Sequence, residues 1–208
     1  MTQPREKGHQ AALQKAQQEL NKLDPYKAAF KAGCDLQSDE QGGKFSVPFL
    51  GQDYVVTFPK ITVQTAGGQK SDPATQLIIL HYLGHADGTP PADHWISFRE
   101  LPDGLVYYPA FQGRTSQRLT HEYGMDARAF SAAAEALGGE KLTFGDASYT
   151  FRVLPRIRMA VILYVGDEEF GPRVNVLFDA AASHYLPIED LAVLGGMLAS
   201  KLIEAGGQ

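Results

Sequence analysis

Between Phe178 and Leu198 the chain reads FDAAASHYLPIEDLAVLGGML. Its first half gathers Asp179, Ser183, His184, Tyr185, Glu189 and Asp190 around Pro187. These residue types are the material of acid–base and nucleophilic catalysis. A serine needs a base to take its proton, and that base needs a carboxylate to orient it. Closeness in sequence does not assemble such a group, because adjacent side chains tend to point apart and triad members meet through the fold. Two readings stay open: His184 and Tyr185 line a ligand pocket at a helix entrance, or His184 and Asp179 serve an enzyme as acid and base. Glu189 and Asp190 need neither, since carboxylates in a first helical turn complement the helix dipole.

A second stretch, HWISFRELPDGLVYYPAF, collects Trp95, Arg99, Glu100, Tyr107, Tyr108 and Phe111. Aromatic rings beside a guanidinium suit a planar or anionic ligand. The same residues suit one face of a core, with Arg99 paired to a carboxylate. His81 and His85 stand four residues apart, so on a helix they share a face and fit a common metal. Completing that site takes His184, His94, Asp87 or Asp179; the alternative is a buried core His81 and a surface His85. Asp167, Glu168 and Glu169 form an acidic turn that doubles as a cation site. Arg152, Arg156 and Arg158 read as a charged strand edge or an anion patch.

Several chemistries lose their footing. There is no Gly-x-Ser-x-Gly elbow, no phosphate-binding Gly-x-x-x-x-Gly-Lys, no dinucleotide glycine fingerprint and no His-Glu-x-x-His. With Cys34 as the one cysteine, no internal disulfide forms and no cofactor is held through cysteines of this chain. Net charge is −5 with a pI near 5.7. Residues 165–208 alone carry seven acids against two bases. No basic stripe offers itself to nucleic acid. The polar start MTQPREKGHQ is not a signal peptide, and no apolar run reaches membrane-spanning length. The expected setting is cytoplasmic, with neither membrane nor nucleic acid as partner.

The elements that must position these residues follow from periodicity. With 44% hydrophobic and 21% charged residues in 208, a sizeable core is expected. Leu13, Ala16, Leu20 and Leu23 recur at helical steps, and Asp24-Pro25 opens a short second helix that Gly33 ends. KFSVPFLGQDYVVTF reads as a hairpin around Gly51. Asp72-Pro73 starts an apolar helix, ATQLIILHYLGH, that buries His81. DHWISFREL alternates as a strand, and LVYYPAF returns as its partner. Two helices follow, RTSQRLTHEYG and DARAFSAAAEALGG. MAVILYV reads as a central strand buried on both faces, RVNVLFD as another. Ile188, Leu191, Leu194, Leu198 and Leu202 form the stripe of a last helix. Helices and strands mix without βαβ alternation, so the expected class is α+β. The expected form is a single domain at 41–205 with a mixed or antiparallel sheet and buried helices, and an N-terminal helical arm at 1–40.

The blocks LHYLGHADGTP, WISFRELPDGLVYYPAF, GDEEF and LFDAAASHYLPIEDLAVLGGML resemble an uncharacterised bacterial family, a domain of unknown function seen mainly in anaerobes. Its members are sometimes fused to, or found beside, an iron–sulfur module. The resemblance runs from about Phe45 to Leu202 and places His81, Asp87, Trp95, Arg99, Asp179, His184 and Tyr185 in characteristic blocks; His85 lies within the first block but is not part of its pattern. It implies an accessory protein of an anaerobic metal-cofactor or redox pathway that binds a ligand or cofactor of unknown identity, with an iron–sulfur or corrinoid protein as partner. A protein-interaction module for an iron–sulfur redox partner is the first rival, an enzyme the second. The candidate ligand-binding residues are Asp179, His184, Tyr185, Arg99, Trp95 and Tyr107; the candidate metal pair is His81 and His85.

Overall fold

A computed structural model describes residues 3–207, with side chains from Gly8 onward. The chain is α+β, with two antiparallel sheets among the described residues. It forms two compact units. One runs up to Thr89 and takes in His184–Leu186; the other comprises Pro90–Ser183 and the chain from Pro187.

The first unit begins with α1 (Gln3–Leu20) and α2 (Pro25–Ala32). Asp24 caps α2 by accepting the Lys27 N–H, and Gly33 ends it in the left-handed conformation (φ 66°), which a residue without Cβ adopts freely. Four strands follow as an antiparallel meander: β1 (Asp35–Asp39), β2 (Gly42–Phe49), β3 (Gln52–Phe58) and β4 (Thr62–Thr65). Phe45, Val47, Phe49, Tyr54, Val56 and Val63 are their buried positions. α3 (Pro73–His85) packs on α1 and α2. The Asp72 carboxylate accepts the Ala74 and Thr75 N–H groups at its start, as the Asp-Pro pair predicts. Ile78, Ile79, Leu80, Tyr82 and Leu83 are buried, but His81 is only half-buried. The apolar surround does not close over it.

In the second unit five strands lie in the order β5 (Trp95–Ser97), β9 (Arg173–Asp179), β8 (Ile157–Tyr164), β7 (Ala147–Leu154) and β6 (Glu140–Lys141), all antiparallel. From Met159 to Leu163 every residue of β8 is buried, as its unbroken apolar run predicts. The helices are α4 (Gly104–Arg114), α5 (Ser116–Tyr123), α6 (Ala127–Ala136) and α7 (Ile188–Gly206). The leucine stripe of α7 is buried throughout.

One expected element changes type. LVYYPAF is not the return strand of a hairpin but lies within α4, and the strand before it shrinks to Trp95–Ser97 followed by a 3₁₀ turn, Phe98–Glu100. Glu100 causes the break, because its carboxylate accepts both the N–H and the hydroxyl of Ser97, closing a capping box. Burial at Gly104, Phe111 and Thr115, with Tyr107 and Tyr108 half-buried, then follows a helical period. Gly104 is required at the turn, since a Cβ there would sit 1.9 Å from the Phe98 carbonyl oxygen.

Phe111 is the keystone between α4 and α7. Its ring stacks on Phe98 at 4.1 Å between centroids and meets Phe178 at 5.8 Å. A Cβ on Gly195 would lie 2.5 Å from that ring. Glycine in α7 is therefore a packing device, accepted despite a helix-propensity cost of about 1 kcal/mol relative to alanine. Gly195→Ala should lower the urea midpoint of the protein even though alanine is the better helix former. A rise in that midpoint would show that the Phe111 ring is free to move.

Candidate functional site

The acidic end of β9 and the short turn behind it organise the polar residues of the second unit. Trp95 of β5 stands opposite Asp179 of β9 in the strand register. Asp179 is only 1% exposed, and its carboxylate is fully engaged. Oδ1 accepts the N–H groups of Ala92 at 2.8 Å and Ala181 at 2.9 Å. Oδ2 accepts the Asp93 N–H at 3.0 Å and Arg158 Nη2 at 3.2 Å. Arg158 also donates to the Asp93 carboxylate, and its guanidinium lies 6.0 Å from the centre of the half-buried Trp95 ring. The hydrogen bond to Asp93 is the leading cause that holds the Arg158 pKa above its ordinary value. Such a carboxylate anchors backbone; it has no lone pair left to orient a base.

The first unit holds a different pair. His184 Nδ1 lies 2.7 Å from Asp87 Oδ2 and 3.2 Å from the Thr89 hydroxyl. The Thr89 N–H donates to Asp87 Oδ1 at 2.8 Å. This backbone hydrogen bond, then the one from His184, hold the Asp87 carboxyl down at about 2. With Asp87 ionised, Nδ1 carries the imidazole proton and donates it to the carboxylate; the tautomer follows from this network. Nε2 has no hydrogen-bond partner among the described residues, and the His184 side chain is 47% exposed. The result is one imidazole lone pair, oriented from behind and open to solvent.

Tyr185 supports this pair. It is fully buried, its hydroxyl donates to the Thr89 carbonyl, and its ring stacks on Tyr82 with centroids 5.7 Å apart. Tyr82 in turn donates to the Ala32 carbonyl at 2.5 Å. The Asp87–Thr89 turn is thereby tied to a stack of two buried rings.

The remaining candidates fall elsewhere. Tyr107 donates to Glu189 at 2.6 Å across α4 and α7, a hydrogen bond that raises the phenol's pKa and lowers the carboxyl's. Arg99 is exposed and, contrary to the expected ion pair, rests its guanidinium 5.1 Å from the centre of the Tyr108 ring. The rings of His81 and His85 meet edge to face at 5.4 Å, and His85 Nδ1 is engaged by the His81 carbonyl at 2.8 Å. Among the described residues no group of three or more His, Cys, Asp or Glu side chains converges on a metal-sized space. Asp167 uses its carboxylate to accept the N–H groups of Glu169 and Phe170. Arg158 lies on the interior strand β8, not on a sheet edge.

A comparison with family models matches residues 24–201 to one described as Domain of unknown function (DUF3786). No curated protein and no solved structure matches this chain.

Two outcomes test the geometry. A carboxyl NMR titration should give Asp87 a midpoint near 2, against an ordinary value of 3.8. His184→Ala should move it upward but short of 3.8, because the Thr89 N–H remains. The folded value is the lower one, so the pair's stabilisation is complete above about pH 4 and fades as pH falls towards 2. Asp179→Ala should cost about 3–5 kcal/mol in chemical denaturation, the range for breaking a buried charged pair; a loss below 1 kcal/mol would show that the anchor is dispensable.

Proposed function

The chain belongs to the DUF3786 family, and from that premise we propose that it is a ligand- or cofactor-binding accessory protein whose contact donor is His184 Nε2. The observation that carries the reading is the His184–Asp87 pair, with Nδ1 held at 2.7 Å and Nε2 unengaged. An imidazole backed by a carboxylate is the arrangement in which metal-ligating histidines are held, because the second hydrogen bond fixes the tautomer and raises ligand basicity.

The donor set limits what is bound. An imidazole that belongs to no convergent group of three or more ligand side chains among the described residues does not make a metal cage. It fits one open coordination position of a metal already held by a macrocycle or by another protein. Cys34 is the one cysteine of the chain and cannot hold an iron–sulfur cluster by itself, so an iron–sulfur or corrinoid centre would come from elsewhere. When bound, such a centre supplies the redox or group-carrying chemistry. This chain supplies orientation through Asp87, Thr89 and the Tyr185–Tyr82 stack.

An acid–base enzyme is the second reading, with Asp87 in the place first given to Asp179. The same free Nε2 favours it, because a general base needs an unengaged lone pair oriented by a carboxylate. Titration with cobinamide, a cobalt corrinoid lacking its own nucleotide base, separates the two by absorbance. The parent should shift the corrinoid spectrum, His184→Ala should not, and Asp87→Asn should weaken binding by about 10–100-fold. Equal binding by the parent and a folded His184→Ala protein would overturn the contact role. No spectral shift with the parent would leave the acid–base reading as the better one.

A further inference from the structure

β5 pairs with only Leu177–Asp179 of β9, so the first half of β9 is flanked on that side by α5 in place of a strand. The contact is loose. The Thr120 hydroxyl accepts the Val174 N–H at 3.1 Å, and around it a cleft of about 720 Å³ opens between β9, α4 and α5. That volume falls in the range of small-molecule sites. The floor is apolar, with Phe98, Phe111, Val176 and Leu177; the walls are polar, with Gln112, Gln117, His121, Arg173 and Asn175.

The charge of this cleft runs against that of the chain. Net charge is −5, yet no Asp or Glu lines the cleft. Its guanidinium, Arg173, lies 4.7 Å from the centre of the Tyr164 ring. Arg99 rests in the same manner on Tyr108, itself a lining residue. Neither guanidinium has an ion-pair partner among the described residues. The side chains of Gln112, Gln117, His121 and Asn175 likewise make no hydrogen bond among the described residues. A guanidinium spread over an aromatic face keeps its N–H edge free for a second partner.

We propose that this cleft is a binding site for a small organic anion, a carboxylate or phosphate carried on a planar or apolar body. The anionic group meets Arg173, the Gln112 and Asn175 amides hydrogen-bond its polar edge, and the body lies along the apolar floor. The site stands independently of His184.

Backbone-amide NMR on the intact chain tests it with benzoate, phenyl phosphate, inorganic phosphate and benzyl alcohol. Benzoate and phenyl phosphate should shift the signals of residues 112–121 and 172–177 saturably, and benzyl alcohol should bind at least tenfold more weakly. Inorganic phosphate tells whether the anion or the body leads: binding weaker than that of phenyl phosphate supports the combined site, and equal binding overturns the role of the floor. Arg173→Met keeps the apolar stem of an exposed side chain. It should weaken benzoate binding by about tenfold, in line with the loss of a charged hydrogen bond. His184→Ala should leave it unchanged. Equal binding of benzoate and benzyl alcohol, or undiminished benzoate binding in Arg173→Met, would overturn the proposal.

Discussion

The buried carboxylate of Asp179 is the constraint around which the second unit closes. A carboxylate taken out of water costs several kcal/mol unless its lone pairs are filled. Here three backbone N–H groups and Arg158 fill them. To supply two of those N–H groups, the segment before β5 must come to the end of β9, and Asp93 accepts a left-handed backbone at φ 52°. The Ala180 N–H then bonds the His94 carbonyl, and the Trp95–Asp179 register follows. The short β5 thus owes its place to a charge, and it leaves the rest of the β9 edge without a strand partner among the described residues.

Asp87 shows the opposite use of the same side chain. Its carboxyl is nearly half exposed, so desolvation opposes its ionisation only weakly, and the Thr89 N–H and the His184 ring lower its pKa. Water screens such a pair, and its worth to stability is small. Its effect is on orientation, because an imidazole free to rotate would present either nitrogen. The buried Tyr185–Tyr82 stack holds the Thr89 carbonyl, so the turn that carries Asp87 is braced by rings with no exposure of their own. One aspartate is spent on architecture, and the other on aiming a side chain.

The sequence made some of this legible and hid the rest for definite reasons. Strong local signals read true: Asp24-Pro25 and Asp72-Pro73 as helix starts, the apolar run of β8, and the stripe of α7. LVYYPAF misled because two tyrosines and a valine favour strands in isolation, whereas the Ser97–Glu100 capping box and the packing of Phe111 on Gly195 impose a helix. His184 stood out by type, and its neighbour Asp179 looked like the natural partner. The actual partner, Asp87, is ninety-seven positions away. Asp87 was visible as a possible completing ligand of the histidine pair, and its place in ADGT suits an aspartate that bonds the N–H two residues on, but neither marks it as the partner of His184. Arg158 was visible as one of three arginines read as a charged edge, although the apolar run that begins at Met159 already marked its strand as central.

The acidic C-terminal quarter explains why two arginines are left to rest on aromatic rings. In residues 165–208 acids outnumber bases seven to two, so carboxylates for ion pairs are in excess. Most of that negative charge is committed nearby. Asp167 closes its own turn, Asp179 anchors backbone, Glu189 receives the Tyr107 hydroxyl, and Glu204 pairs with Lys201. Arg173, at the start of β9, has Tyr164 of the neighbouring strand directly opposite in register, and the ring face takes the guanidinium. Local hydrogen bonding by carboxylates is cheap in entropy, because a short side chain reaching its own turn freezes few torsions, whereas a long arginine must be ordered to meet a distant acid. Positive charge therefore accumulates on aromatic surfaces beside a carboxylate-free cleft in a chain whose net charge is negative.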